Sequence, residues 1–226
     1  MAIAQAGADV ALLARSEADL QETARQAAAT GRRAVPLAVD LRDLASLATA
    51  IDHAAQALGG LDVLVNNAGT NTSMNEETVT PAEFDRVMDV NFRAVVFASR
   101  AARPHLRAAG GGVIINIGSI AAAKGVHVYG ASKAAVAAYT LALSRAWADD
   151  HIRCVAIAPG QVDTEMTAHL RAHPERRAAL LRHTARHRAA QPEEIAALAV
   201  YLASPAADFV SGTTVAIDGG RTVYYD

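Results

Sequence analysis

Six short apolar runs alternate along the whole chain with Ala- and Leu-rich stretches long enough to be helices, and this alternation restricts the fold more than any other feature. The runs are Val10–Ala14, Ala34–Val39, Leu61–Asn66, Val113–Ile117, Arg153–Ala158 and Thr214–Ile217, several flanked by Gly or Asp, as strands are. Helices are predicted over about 17–30, 43–58, 81–108, 130–149 and 192–203, with Asp43 and Pro81 as start signals. Strands that alternate with helices run parallel and connect through right-handed crossovers. These runs are apolar along most of their length, the pattern of strands covered by helices on both faces. The expected fold is α/β, a doubly wound, Rossmann-like parallel sheet forming a single domain over residues 1–226. Ligands of such sheets bind in the crevice at the carboxyl ends of the strands.

The size fits that expectation, because 226 residues and 23.5 kDa lie within the range of one hydrophobic core, and 52% apolar content can fill it. A net charge of -2 gives no bias toward nucleic acid or anionic lipid, so neither a nucleic-acid nor a membrane partner is expected and small-molecule chemistry is favoured. The one cysteine, Cys154, lies in an apolar run and can form neither an internal disulfide nor a thiolate cluster, which suits a reducing cytoplasm. No apolar run approaches the roughly 18–20 residues of a membrane span, and the first residues lack the basic start and long apolar region of a signal peptide.

The beginning of the chain departs from the pattern. Met1–Ala6 reads as the end of a helix stopped by Gly7, and six residues cannot hold a helix alone. In a βαβ unit that helix follows a strand and a glycine-rich turn, and neither precedes it in this sequence. The chain therefore reads as starting inside its first unit.

The chemistry-bearing residues cluster just after the strands. Tyr129 and Lys133 are four apart on a predicted helix starting near Gly130, so their side chains can share one face. A phenol with an ordinary pKa of about 10 needs about 4 kcal/mol of preference for phenolate to work near pH 7. A unit charge about 4 Å away at an effective dielectric of about 20 supplies that. Ser119, at the end of the run Val113–Ile117, can donate a hydrogen bond to a substrate oxygen on which charge develops. Alone, Tyr-x-x-x-Lys is an ordinary helix surface pair. Here it is accompanied.

Leu61-Asp-Val-Leu-Val-Asn-Asn-Ala-Gly69, Val90-Asn91, Asn116-Ile-Gly-Ser119, Tyr129-Gly-Ala-Ser-Lys133, Ile152-Arg-Cys-Val-Ala-Ile-Ala-Pro-Gly160 with Val162 and Thr164, Gln191-Pro-Glu-Glu-Ile195 and Asp218-Gly-Gly220 follow one another along the chain. In order and spacing they resemble the classical short-chain dehydrogenase/reductase family, nearly end to end. The resemblance implies an NAD(P)-dependent oxidoreductase interconverting a carbonyl and a secondary alcohol, with a 3-oxoacyl, sugar or other ketone substrate. Tyr129 would be the general acid in reduction and Ser119 would orient the carbonyl. Lys133 would bind the ribose and lower the tyrosine pKa, and Asn91 would hold a water in a proton relay. Read alone, Asn91 is a helix-bending or capping amide.

Cofactor contacts are implied at Asp40 and Leu41 (adenine), at Asn67, Ala68 and Gly69, at Tyr129 and Lys133, and at Pro159, Gly160, Val162 and Thr164 (nicotinamide). Asp40 reads equally well as a helix N-terminal acid, and Gly69 as a plain tight turn. After Val10–Ala14 the chain offers Arg15-Ser16 with no carboxylate, which favours NADP over NAD, with NAD possible. A solvent-exposed arginine is the alternative for Arg15.

From about Thr164 to Ala190 the chain is rich in Arg and His, including His169 with His173 and His183 with His187 at helical spacing. No Asp, Glu or Cys completes a ligand set at the right spacing, so no metal is expected and scattered surface residues on a mobile helical lid are; the resemblance implies that this region closes over substrate and carries specificity. Family members commonly form dimers or tetramers through the helices near 81–108 and 130–149, so a homo-oligomer, most often a homotetramer, is implied. The ending Asp218–Asp226 faintly resembles sugar dehydrogenases.

Three features depart from the family. Its first strand and Thr-Gly-x-x-x-Gly-x-Gly turn, which cradles the pyrophosphate, occur nowhere in this sequence, and by resemblance roughly 20 residues precede Met1 in the family. Either the start lies further upstream or the chain is a true truncation. Ser119 and Tyr129 are ten positions apart, closer than usual, so the loop Ile120–Val128 should differ in shape. Val155 stands where many members have asparagine. The missing turn motivates a rival expectation, a catalytically silent oligomer partner or regulatory protein that has lost cofactor binding.

Overall fold

The computed structural model describes residues 1–170 and 172–223, with the side chains of residues 169 and 170 excepted. A one-turn helix α1 (Ala2–Gln5) leads into β1 (Val10–Ala14), α2 (Glu17–Ala28), β2 (Ala34–Ala38), α3 (Leu44–Leu58) and β3 (Val63–Asn66). Then come α4 (Pro81–Met88), a π-helical turn (Asp89–Arg93), α5 (Ala94–Ala108), β4 (Gly112–Ile117), α6 (Ala121–Lys124), α7 (His127–Ala146) and β5 (Ile152–Pro159). α8 (Pro174–Arg182), α9 (Pro192–Ala203) and β6 (Thr213–Ile217) complete the order.

All strand pairs are parallel, as the strand-helix alternation requires. The sheet, however, comes in two parts. β1 pairs with β2, and β3, β4, β5 and β6 form a second sheet in that order. Among the described residues, the free edges of β1 and β3 bond to no strand. Exposure follows from this: every residue of β1 and β3 is only half-buried, whereas the interior of β5 is fully buried.

Helices cover both faces of the four-stranded sheet, and alternate residues of each strand show it. Ile114 and Cys154 point into a core with α3, α5 and α7, built on Leu47, Ile51, Ala98, Leu106, Leu143 and Trp147. Val113, Ile115, Val155 and Ile157 point the other way, onto Ala199 and Leu202 of α9. Val155 is thus a packing residue. Among the described residues no helix is long and apolar enough to cross a membrane.

The start signals act as capping chemistry dictates. Asp43 accepts hydrogen bonds from the Ala45 and Ser46 amides, and Thr80 caps the helix that Pro81 opens. Two predicted spans change. The stretch 81–108 is interrupted by the π-helical turn, and α7 starts at His127 instead of near Gly130, so Tyr129 lies in its first turn. Among the described residues of the segment 164–190, α8 and the short 3₁₀ turn Glu165–Leu170 are the helical elements.

Candidate active site

α6 and α7 meet at a tight corner just after β4. Gly125 ends α6 in the left-handed region at φ 62°, and a Cβ on Gly130 would stand 2.7 Å from the Ala121 carbonyl oxygen, so glycine is what lets the two helices touch. This corner fixes Tyr129 and Lys133 one turn apart beside the end of β4. Lys133 is buried, its ammonium donates to the Ile117 carbonyl at 2.8 Å, and it lies 5.9 Å from the centre of the Tyr129 ring. Ser119 accepts from the Ala121 amide at 3.1 Å, and its hydroxyl stands close enough to the Tyr129 phenol to favour the phenolate.

The electrostatics differ from the expectation that Lys133 lowers the tyrosine pKa. Burial pushes Tyr129 above its ordinary 10, and the opposing influence is the Ser119 hydroxyl. Burial also pulls Lys133 from 10.5 to about 8. With Nζ 5.9 Å from the ring centre, desolvation of the phenol outweighs the lowering by Ser119.

Asn91 sits in the π-helical turn with no exposure at all. Its side-chain oxygen accepts from the Thr70 amide at 2.7 Å, and its NH₂ donates to the Thr70 carbonyl at 2.9 Å and to Ser132 Oγ at 3.0 Å. Ser132 in turn donates to the Tyr129 carbonyl at 2.7 Å. Asn91 thus clamps the loop after β3 to the first turn of α7, and one lone pair of its side-chain oxygen stays open for another donor. A π-helical turn in a longer helix commonly marks a functional position. Gly69 faces the same space: a Cβ there would lie 3.5 Å from both Asn91 Oδ1 and Lys133 Nζ.

Below this lies a polar layer that the sequence reading did not single out. Asn66 of β3 stands in register with Asn116 of β4 and donates to its side-chain oxygen at 2.8 Å and to Ser99 at 3.2 Å. Asn116 donates to Thr140 at 2.9 Å. Two asparagines closing otherwise apolar strands were the available signal. Ser132, inside the Tyr-Gly-Ala-Ser-Lys run, and Thr70, next to Gly69, were likewise missed.

The remaining sequence-predicted residues gather along the carboxyl ends of β1, β2, β3 and β5. Arg15 follows β1, is exposed, and makes no hydrogen bond or ion pair among the described residues. Ser16 is the cap of α2. Asp40 receives the Arg42 backbone amide at 3.0 Å and the Arg42 guanidinium at 2.6 Å, and these hold its carboxyl at about 2. Leu41 turns toward the core cluster, while Asn67 and Ala68 are exposed beyond β3. Pro159 ends β5, and Gly160 donates to Ile217 at 3.0 Å where a Cβ would strike Asp218 Cα at 2.7 Å. Val162 bridges to Ala190, and the Thr164 amide donates to Thr167 Oγ1 at 3.0 Å.

The segment 163–186 is tied down at several points. Arg177 pairs with Asp163 at 3.3 Å, Arg221 Nη1 donates to the Leu180 carbonyl at 2.9 Å, and the Arg186 amide donates to Gly219 at 3.1 Å. Among the described residues no three His, Cys, Asp or Glu side chains gather as a metal site. The His169 side chain and residues 224–226 lie outside the described residues.

Comparison with known proteins draws on this whole arrangement. The family described as enoyl-(acyl carrier protein) reductase matches residues 1–222. A solved short-chain type dehydrogenase/reductase from Mycobacterium marinum shares the fold at a TM-score of 0.92 and 32% identity, covering 98% of this chain and 89% of that one. The chain belongs to the short-chain dehydrogenase/reductase family. It is similar to the 2-dehydro-3-deoxy-D-gluconate 5-dehydrogenase of Escherichia coli (strain K12), 38% identical over 97% of this chain and 88% of that one. It is also similar to a gluconate 5-dehydrogenase from Burkholderia cenocepacia J2315, solved with NADP and tartrate (TM-score 0.92, 32% identity, 98% and 88% covered). As a short-chain dehydrogenase/reductase with such relatives, the protein is an oxidoreductase enzyme.

Proposed function

We propose that this protein is an NADP-preferring dehydrogenase/reductase that interconverts a ketone and a secondary alcohol on a sugar-like substrate. The observation that supports the reading is the buried Lys133 ammonium, held by the Ile117 carbonyl at the end of β4 and 5.9 Å from the Tyr129 ring centre, with Ser119 two residues beyond that carbonyl. In reduction, Tyr129 gives its proton to the substrate oxygen while Ser119 donates a hydrogen bond to that oxygen as charge grows on it. Lys133 binds ribose hydroxyls, and its charge stabilises the phenolate left behind. Asn91 keeps the Thr70 loop against α7 and offers its open lone pair to a relay water.

The cofactor, when bound, supplies or accepts the hydride. Its contacts are assigned to Arg15, Asp40, Leu41, Asn67, Ala68, Gly69, Pro159, Gly160, Val162 and Thr164, with Tyr129 and Lys133. The chain suits such a group at two points. Gly69 leaves open the space between Asn91 and Lys133, and Arg42 occupies the Asp40 carboxylate, leaving the Arg15 charge available for a 2′-phosphate. The named relative with bound NADP supports the same choice, with NAD as the weaker partner.

The test is NADPH oxidation with a panel of ketoses and keto acids. Tyr129→Phe should abolish turnover while NADPH binding, read by its fluorescence, persists; equal turnover in the variant would end the proposal. Arg15→Ala should narrow the preference for NADPH over NADH about tenfold. A homotetramer is proposed as well, supported by exposed Phe84 on α4 and Leu141 on α7; light scattering showing only monomer would count against it. A cytoplasmic location is proposed on the single buried thiol of Cys154, pushed up to about 12 by burial.

A further inference from the structure

The loop that follows β3 grips the first turn of α7 at two points, and Tyr129 lies between them. At the start of the loop, Thr70 is bonded to Asn91, Asn91 to Ser132, and Ser132 to the Tyr129 carbonyl. Further along the loop, the two oxygens of the Glu76 carboxylate lie 3.0 and 2.9 Å from Nδ1 of His127. A carboxylate only accepts, so Nδ1 donates. His127 precedes Tyr129 in the first turn of α7, and Ser132 follows it.

Glu76 is presented by a turn that bonds to itself. The Asn75 side-chain oxygen accepts from the Glu77 and Thr78 amides, both at 3.1 Å, and from the Thr78 hydroxyl at 2.9 Å. The Val79 amide donates to the Asn75 carbonyl at 2.9 Å. Arg86 of α4 holds the start of the loop, donating to the Asn71 carbonyl at 2.7 Å and to Thr70 Oγ1. The acid therefore sits on a stiff support.

The receiving end is one that such a contact suits. Among the described residues no side chain caps α7, and its first turn carries no acid of its own. The Glu76 carboxylate supplies there the negative charge that a helix N-terminus favours. The Glu76 amide and His127 hold its carboxyl below the usual range, so the charge is in place at neutral pH. His127 has φ 48°, in the left-handed region that strains a residue carrying a Cβ. Such strain persists where surrounding contacts enforce it, and among the described residues the Glu76 carboxylate is the partner of the His127 ring. The pair is exposed, so it adds little to global stability. What it sets is a position.

We infer that Glu76 and His127 are positioning residues: their clasp, together with the Thr70–Asn91–Ser132 bonds, fixes the turn of α7 from which Tyr129 reaches the substrate oxygen. This rests on the proposed role of Tyr129 as proton donor and adds two residues to the machinery that places it.

Glu76→Ala, Glu76→Gln, His127→Gly and the double variant Glu76→Ala/His127→Gly are compared with the wild-type chain by amide hydrogen exchange, urea unfolding and reduction of D-fructose and 5-keto-D-gluconate by NADPH. Glu76→Ala should speed exchange about fivefold in 70–79 and in 127–133 together, with α5, β5 and the urea midpoint unchanged. It should lower kcat about fivefold with KM for NADPH little changed. Glu76→Gln keeps an acceptor oxygen and should recover part of that loss. His127→Gly relieves the left-handed backbone but deletes the ring, so kcat should fall as far without loss of stability, and the double variant should fall no further. Faster exchange confined to 70–79, an unchanged kcat in Glu76→Ala, or single losses that multiply in the double variant overturns the inference. So does a lower urea midpoint with kcat intact, which would make the pair a stabilising contact alone. If the wild type reduces no ketone while Glu76→Ala speeds exchange in both segments, the proposed chemistry falls and the clasp stands. If ketones are reduced and neither kcat nor exchange responds to Glu76→Ala, the clasp falls and the oxidoreductase reading stands.

Discussion

Replacing Lys133 by methionine should make the protein more stable and inactive, and the gain should vanish at high pH. Burial lowers the Lys133 pKa from 10.5 to about 8, and with only 4% of the residue exposed solvent screening does little to soften this. The drop corresponds to about 3 kcal/mol against folding while the group is charged. Methionine matches the length of the stem and needs no desolvation of charge, but the hydrogen bond to Ile117 is lost, at about 1 kcal/mol. The net gain at pH 7 is then about 2 kcal/mol. The sign with pH follows from proton counts. Between about pH 8 and 10.5 the unfolded chain holds the lysine proton that the folded one has released, so wild-type stability rises with pH across that window. At pH 9.5 about half of the penalty is gone, which brings wild type and Lys133→Met to near equality. Urea unfolding of both proteins at pH 7 and 9.5, at one protein concentration, measures this. A gap that stays constant with pH, or a variant less stable at both values, would refute the electrostatic account of Lys133.

The same lysine should shape activity: as pH rises through about 8 the ammonium is lost, and kcat/KM for reduction should decline from there; a flat profile to pH 10 would contradict it. Asn91→Ala strips the Thr70 amide and carbonyl of their side-chain partner and Ser132 of a donor, so unfolding should show a loss of about 3 kcal/mol, against about 1 for Ser132→Ala. Gly69→Ala should fold normally, since its Cβ meets neighbours at an ordinary 3.5 Å, yet bind NADPH at least about tenfold more weakly because the methyl fills the cofactor's space. Gly160→Ala should instead lose about 2 kcal/mol of stability, because its Cβ would be 2.7 Å from the Asp218 backbone.

What the sequence revealed and what it hid divide along physical lines. Strands buried on both faces are apolar throughout, so Val113–Ile117 and Arg153–Ala158 were placed within a residue or so of β4 and β5. Helix starts with a capping side chain were equally legible, as Asp43 shows. α7 was misjudged at its start because no side chain caps it; the corner at Gly125 and the Gly130–Ala121 contact define that end, and both are tertiary. The π-helical turn at Asp89–Arg93 is also invisible to periodicity, since residues 81–108 keep a helical pattern across one extra residue of winding. Asp40 reads in sequence as an adenine contact or a helix N-terminal acid, and Arg42, two positions on, engages both of its oxygens.

The buried asparagine ladder explains how a site made of loop residues stays in position. Asn67–Gly69 and Ser119 emerge from neighbouring strands, and their relative height depends on the β3–β4 register. A slip of one residue would turn every side chain of β3 to the opposite face. Val, Leu and Ile define which face is buried but tolerate a shift of two, which preserves the alternation. Asn66 against Asn116 does not tolerate it: displaced by two residues, each amide would stand in an apolar layer with its hydrogen bonds unmade, while Ser99 and Thr140 would keep only their bonds to the Val95 and Val136 carbonyls, at a cost of several kcal/mol. The same two asparagines reach α5 through Ser99 and α7 through Thr140, the helices that continue from Asn91 and carry Lys133. The ladder therefore sets the register of the strands and the positions of both site-bearing helices. Its own hydrogen bonds are all internal, so it can do this while leaving the polar groups above it free for substrate and cofactor.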